Sequence, residues 1–380
     1  MLAKRRQNDR VPPRINIKVY MKDTVKPQIK NLPVYETGKP IEYVAREFGL
    51  DPDNILKMAS NENPLGPSPK AVKAVLDHVS GLNYYPDGAC YNLRQKLAKL
   101  WNLKPAQFVF GNGSNEILEF IAQCYVDKGD ETVFGNQSFI VYKLATIFAG
   151  GTCVGVEMPG LRYDLDRMLD AVTEKTKIVF ITNPNNPTGC VLKQDEIVNF
   201  VKALPEHVLF CLDEAYTEFE DSQVDLRPLI AEGRNVICLR TFSKIYGLAG
   251  LRIGYSYSNE TIAGYLNRAR EPFNVNSLAQ VAAIAALDDD EFVSRSRRIN
   301  KDGRRQFEKA FQEMGLQYFS EGGNFVMVKV EDAPGKFVEM QKRGVIVRPN
   351  VGYGLPDWLR ITIGTPEQNQ RCIQELKNTL

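Results

Sequence analysis

After a polar opening of about thirty residues punctuated by Pro12, Pro13 and Pro27, short apolar runs alternate with longer stretches of helical periodicity. The runs at 108–110, 132–134, 152–156, 178–181, 208–212, 236–239 and 253–257 are too short for helices, and their spacing predicts strands alternating with helices. That order implies an α/β fold with a large, mostly parallel sheet covered on both faces. Upstream, an apolar-periodic helix over 41–49 stops at Gly49, and a proline-rich turn over 61–69 precedes a helix begun at Pro69. Beyond about residue 275 the pattern changes to a long helical region, then strands at 325–330, 345–347 and 359–363, and a terminal helix from Pro366. This predicts a smaller α+β domain over 275–380 beside a large domain over 66–274. Residues 31–65 are expected to form an arm and part of the small domain, and 1–30 a basic arm that is flexible or laid over a neighbour.

Composition narrows the functional classes. A hydrophobic fraction of 43% and a charged fraction of 25% are those of an ordinary globular protein. With 48 basic and 46 acidic residues there is no global field to draw the chain to nucleic acid or a membrane, so neither is expected as a partner. The basic start at Lys4, Arg5, Arg6 and Arg10 lacks the apolar stretch of a signal peptide, and no segment reaches spanning length, which predicts a cytoplasmic protein. Seven cysteines show no paired ligand spacing and are expected to be reduced thiols. Two isolated histidines, His78 and His207, make a histidine-centred metal site or a Ser-His-Asp mechanism improbable, and no metal is expected.

The chemistry gathers where apolar runs end. The run at 236–239 leads into Thr241-Phe242-Ser243-Lys244 and, further on, Gly250-Leu251-Arg252. A lysine at the end of a buried strand near another cation can have its pKa lowered enough to attack an aldehyde. Ser243 and Arg252 offer a hydroxyl and a guanidinium suited to a phosphate dianion. Alone, a Ser-Lys pair is usually a solvated loop; its neighbours change that. The run at 208–212 enters Asp213-Glu214-Ala215-Tyr216, setting a carboxylate at a strand's carboxyl end, where open α/β sheets bind ligands. Asp213 could keep a pyridinium nitrogen protonated, and Glu214 competes for that role. The run at 178–181 enters Thr182-Asn183-Pro184-Asn185-Asn186-Pro187-Thr188-Gly189, and 108–110 enters Gly111-Asn112-Gly113-Ser114-Asn115-Glu116 before a helix expected from about Ile117. Glycines there let backbone N–H groups approach an anion at a helix start. A dinucleotide fingerprint is disfavoured because Glu116 stands where the third glycine belongs.

With these motifs in this order, the chain over roughly 30–380 resembles the aminotransferase superfamily of pyridoxal-phosphate fold type I. It is most similar to the histidinol-phosphate aminotransferases through Tyr35 with Gly38-Lys39-Pro40-Ile41, the segment Ser60-Asn61-Glu62-Asn63-Pro64-Leu65-Gly66, and Val345-Ile346-Val347-Arg348-Pro349 followed by Leu359-Arg360-Ile361-Thr362. The resemblance implies pyridoxal 5'-phosphate in the large domain, joined to Lys244 as a Schiff base. Asp213 would pair with its ring nitrogen, Tyr216 and Asn186 with its phenolic oxygen, and Phe139 would stack on the ring. Ser243, Arg252, the backbone at Ser114 and Asn115, and Tyr85 from a second subunit would hold the phosphate. Arg348 and Arg360, with Asn61 and Tyr35 of the amino-terminal arm, would meet the substrate. It further implies a homodimer that transfers an amino group from L-histidinol phosphate to 2-oxoglutarate in histidine biosynthesis. An aromatic amino-acid aminotransferase, a phosphothreonine-type decarboxylase and a non-catalytic cofactor-binding regulatory module are the alternatives.

Overall fold

The computed structural model describes residues 24–30, 32 and 38–380. Tyr35 and most of the expected basic arm lie outside the described residues. In the part of the arm that is described, Pro27–Lys30 forms one helical turn.

Strand β1 (Leu56–Lys57) is not part of the main sheet, which is built of β2 (Phe108–Gly111), β3 (Glu131–Gly135), β4 (Thr152–Val156), β5 (Thr176–Thr182), β6 (Leu209–Asp213), β7 (Val236–Thr241) and β8 (Gly254–Ser258). Their order is β2-β8-β7-β6-β5-β3-β4. The pairs β4/β3, β3/β5, β5/β6 and β6/β7 are parallel, whereas β8 runs antiparallel to both β7 and β2. The reversal follows from the connection: the residues between β7 and β8 contain only a short 3-10 turn, Ala249–Leu251, and no helix to carry the chain back for a parallel strand.

The central strands are buried on both faces, so their side chains divide strictly by parity. Phe210, Leu212, Val179, Ile181, Val236 and Cys238 enter one core, and Leu209, Cys211, Ile178, Phe180, Ile237 and Leu239 the other. Each fully buried Phe, Leu or Ile among them contributes roughly 1.5–3 kcal/mol. The same alternation sends Asp213 and Glu214 to opposite sides of the sheet.

The later strands are β9 (Tyr318–Phe319), β10 (Phe325–Lys329), β11 (Val345–Ile346), β12 (Arg348–Asn350) and β13 (Leu355–Thr362). Four form an antiparallel sheet in the order β12-β13-β10-β9, and β11 pairs in parallel with β1. Phe307 and Phe311 of the helix Asp290–Glu313 and Cys372 and Leu376 of the helix Pro366–Lys377 pack into the core beneath this sheet. The helix Ile41–Phe48 closes on Gly49 in the left-handed conformation (φ 67°), as its sequence predicts. Among the described residues no helix is long and apolar enough to cross a membrane.

Candidate active site

The carboxyl ends of β5, β6 and β7 lie side by side, with Thr182 in register with Asp213 and Asp213 with Leu239. They open into a cavity of about 260 Å³ that also receives the turn after β2, the segment after β1, and β12 and β13. Twelve residues picked out from the sequence line it: Asn61, Ser114, Asn115, Phe139, Asn186, Asp213, Tyr216, Ser243, Lys244, Arg252, Arg348 and Arg360. Tyr85 does not. It is 83% exposed on the surface and stacks on Phe273 with centroids 4.9 Å apart.

Lys244 Nζ donates to the carbonyl of Ser60 at 3.2 Å and lies 5.5 Å from the centre of the Tyr216 ring. Asp213 is buried, which pushes its carboxyl up to about 6; donation by Tyr142 and by the Ala215 amide, and the charge of Lys244, oppose the rise. Its Oδ2 accepts from the Tyr142 hydroxyl at 3.0 Å and its Oδ1 from the Ala215 N–H at 3.1 Å. Glu214, the rival acid, faces away. It accepts from Arg240 Nε at 3.0 Å and from the Tyr257 hydroxyl at 2.8 Å, while Arg240 also reaches Glu218 at 3.3 Å and lies over the Trp101 ring.

The helix after β2 begins at Ser114, three residues earlier than its apolar periodicity suggests, because Gly113 at φ 82° turns the chain into it. Its first N–H groups therefore have no partner within the helix. The wall there has no room for side chains. A Cβ on Gly113 would strike the Arg252 guanidinium, and one on Gly254 would lie 2.5 Å from the Ser114 nitrogen. Arg252 donates to the Ala249 carbonyl at 3.1 Å and lies 3.5 Å from Ser243 Oγ. Hydroxyl, guanidinium and bare amides thus make a compact anion cradle.

On the opposite wall, Arg348 and Arg360 are paired across β12 and β13, which puts both guanidinium groups on one face. Arg360 is buried, donates to the Ala59 carbonyl at 2.8 Å and also bonds Asn186 Oδ1. Asn61 donates from Nδ2 to the Tyr216 hydroxyl at 3.0 Å. Lys244, Arg252, Arg348 and Arg360 outnumber the two lining carboxylates, Asp213 and Glu62, so the cavity favours anions. Among the described residues no group of three His, Cys, Asp or Glu could hold a metal ion.

Ser60 and Thr182 stand in motifs that the sequence picks out but receive no role from it, and Tyr142 escapes it altogether. Ser60 contributes a carbonyl, for which no side-chain signal exists. Tyr142 sits in the apolar helix Val141–Ala149 and reads as core; the signal was its hydroxyl, which needs a partner when buried.

A lysine, a buried carboxylate and an anion cradle at the carboxyl edge of such a sheet fit pyridoxal phosphate and mark the class of pyridoxal-phosphate enzymes. The family model for aminotransferase class I and II matches residues 53–376. The chain belongs to that family, among the histidinol-phosphate aminotransferases. It is 49% identical to the histidinol-phosphate aminotransferase of Akkermansia muciniphila, over 93% of this chain and 97% of that protein. It is 43% identical to that of Caldicellulosiruptor saccharolyticus, over 93% and 99%. The crystal structure of the Sinorhizobium meliloti histidinol-phosphate aminotransferase in complex with pyridoxal 5'-phosphate superposes with a TM-score of 0.85 at 28% identity, covering 95% of this chain and 98% of that one.

Proposed function

We propose that the chain transfers the amino group of L-histidinol phosphate to 2-oxoglutarate, giving imidazole-acetol phosphate and glutamate, with pyridoxal phosphate held on Lys244. The observation that carries this reading is the gathering of Lys244, Asp213 and Arg252 in one cavity with the Arg348 and Arg360 pair. Bound pyridoxal phosphate supplies an electron sink for negative charge at the donor's α carbon. Ser243, Arg252 and the first-turn amides of Ser114 and Asn115 would hold its phosphate, Phe139 would cover its ring, and Tyr216 and Asn186 would meet its phenolic oxygen. Asp213, ionised, would face the ring nitrogen. The Lys244 amine would move a proton at the donor's α carbon as general base. Arg348 and Arg360 hold the acidic end of each substrate, which suits both partners: one carries a phosphate ester and the other a distal carboxylate.

The active unit in this reading is a homodimer in the cytoplasm. Tyr84, Tyr85, Leu82 and Phe273 form an exposed apolar patch of the kind a second subunit covers, and Tyr85 of the partner subunit would then reach the cofactor phosphate. Tyr35 would close the substrate side. The seven free thiols support a reducing compartment.

The test is steady-state kinetics with 2-oxoglutarate and three donors. L-Histidinol phosphate is expected to have the highest kcat/KM, and a higher value for phenylalanine or tyrosine would overturn the choice of substrate. Lys244→Ala is expected to abolish both transamination and the visible absorbance of the bound cofactor in a folded protein.

A further inference from the structure

Tyr142 is fully buried in the helix Val141–Ala149, stacked on Phe180 at 4.7 Å and 3° and edge-on to Phe139 at 5.8 Å and 86°. A phenylalanine would fill this slot equally well and would bury no polar group. The hydroxyl therefore needs its own explanation. It donates to Asp213 Oδ2 at 3.0 Å and bonds Thr182 Oγ1 at the end of the neighbouring strand β5.

We propose that Tyr142 is a positioning residue: a hydrogen-bond chain from Thr182 through Tyr142 to Asp213 fixes the Asp213 carboxylate facing the cavity, and the Tyr142 ring sets the edge of Phe139 above it. The inference rests on the proposed role of Asp213 beside the cofactor's ring nitrogen.

The proton inventory gives the chain a direction. A phenol has one proton. If it goes to Asp213, the threonine hydroxyl must donate to the phenol oxygen, and the chain ends on the carboxylate. With Tyr142 on Oδ2 and the Ala215 amide on Oδ1, each carboxylate oxygen keeps a free acceptor site, and turning the group would break both bonds at once. Thr182 is itself held, since its N–H donates to the Tyr163 hydroxyl at 3.1 Å and that hydroxyl donates to Asn185 Oδ1 at 2.8 Å. The other titratable groups around Asp213 are Lys244 and Tyr216 on the cavity side, Tyr163 beyond Thr182, Cys211 on its own strand and Glu214 just past the strand's end. None of these occupies the place of the Tyr142 hydroxyl at Oδ2. Without that donor, burial acts on Asp213 less opposed, and a larger share of the carboxyl is neutral near pH 7.

The experiment measures the dissociation constant of pyridoxal phosphate against pH for the full chain, Tyr142→Phe and Thr182→Val, alongside transamination. Tyr142→Phe is expected to move the acid limb of cofactor binding up by about one pH unit, weakening binding about twofold at pH 7 and on the order of tenfold near pH 5. Thr182→Val, which leaves Tyr142 without its donor, is expected to shift the same limb in the same direction by less. A purely structural tyrosine would move the melting temperature and leave the pH limb in place. Acid limbs of both variants that coincide with that of the unsubstituted protein overturn the inference, and should Tyr142→Phe not fold, Thr182→Val decides alone. Borohydride reduction and mass measurement of the unsubstituted chain separate the two levels: no adduct at Lys244 sinks the underlying function as well.

Discussion

Asp213 is charged where charge is costly, and that cost is measurable. Its carboxyl rises from 3.8 to about 6 because burial disfavours the anion more than Tyr142, Ala215 and Lys244 favour it. The folded carboxyl therefore holds its proton more tightly than the unfolded one. The resulting stability is complete below the unfolded value and is lost as pH rises through the folded value. At 1.36 kcal/mol per unit, the cofactor-free fold forfeits about 3 kcal/mol by pH 7, and about 2 kcal/mol of that between pH 4.5 and 7. Asp213→Asn has the same shape and no charge at any pH, and its carbonyl oxygen can still accept from one of the two donors. Urea unfolding of the cofactor-free protein at both pH values is expected to show the variant improving relative to the unsubstituted chain by about 2 kcal/mol as pH rises. Transamination should collapse in the same variant. A stability difference that stays flat with pH, or that turns against the variant, would refute the claim that Asp213 is held ionised at the fold's expense.

Two further substitutions test the supports of the site. Glu214→Gln removes the main partner of buried Arg240, leaving Glu218 at 3.3 Å, and is expected to cost about 3–5 kcal/mol in denaturant unfolding; a loss well under 1 kcal/mol would show the pair to be dispensable. Gly247→Ala places a Cβ against the Gly66 carbonyl at a residue with φ 68°. It is expected to lower the melting temperature and, by displacing the loop that carries Ser243 and Lys244, to weaken pyridoxal phosphate binding; unchanged affinity would show that this close approach does not shape the site.

What the sequence discloses and what it hides divide along physical lines. Lys244, Ser243, Asp213 and Asn186 are legible because each follows a short apolar run; periodicity alone cannot separate such a run from a buried helix, but its length and the turn residues that bound it favour a strand. Arg348 and Arg360 stand out only through the family resemblance, and cross-strand register is the reason they meet. The reversal of β8 is hidden because strand direction depends on what the connection contains, not on the strand's own residues. Glu214 rivals Asp213 on paper until the last residues of β6 are assigned to faces. A two-residue strand such as β1 has no periodicity to read, and its partner at Val345–Ile346 lies near the other end of the chain. Tyr142 shows the general limit: a buried aromatic in an apolar helix discloses its hydroxyl's role only when its neighbours are known.

The pairing of β1 with β11 sets an order of events during synthesis. All seven strands of the main sheet lie between residues 108 and 258, so that sheet can close while the last third of the chain is still being made. Ala59 and Asn61 are held by Arg360 and Thr362, and Leu56 and Lys57 by Val345 and Ile346. Residues translated early thus wait, unpaired, for strands translated near the end. A chain released before residue 345 would carry Lys244 and Asp213 on a finished sheet and still lack one wall of the cavity, so the cofactor's pocket is completed only when translation is nearly over.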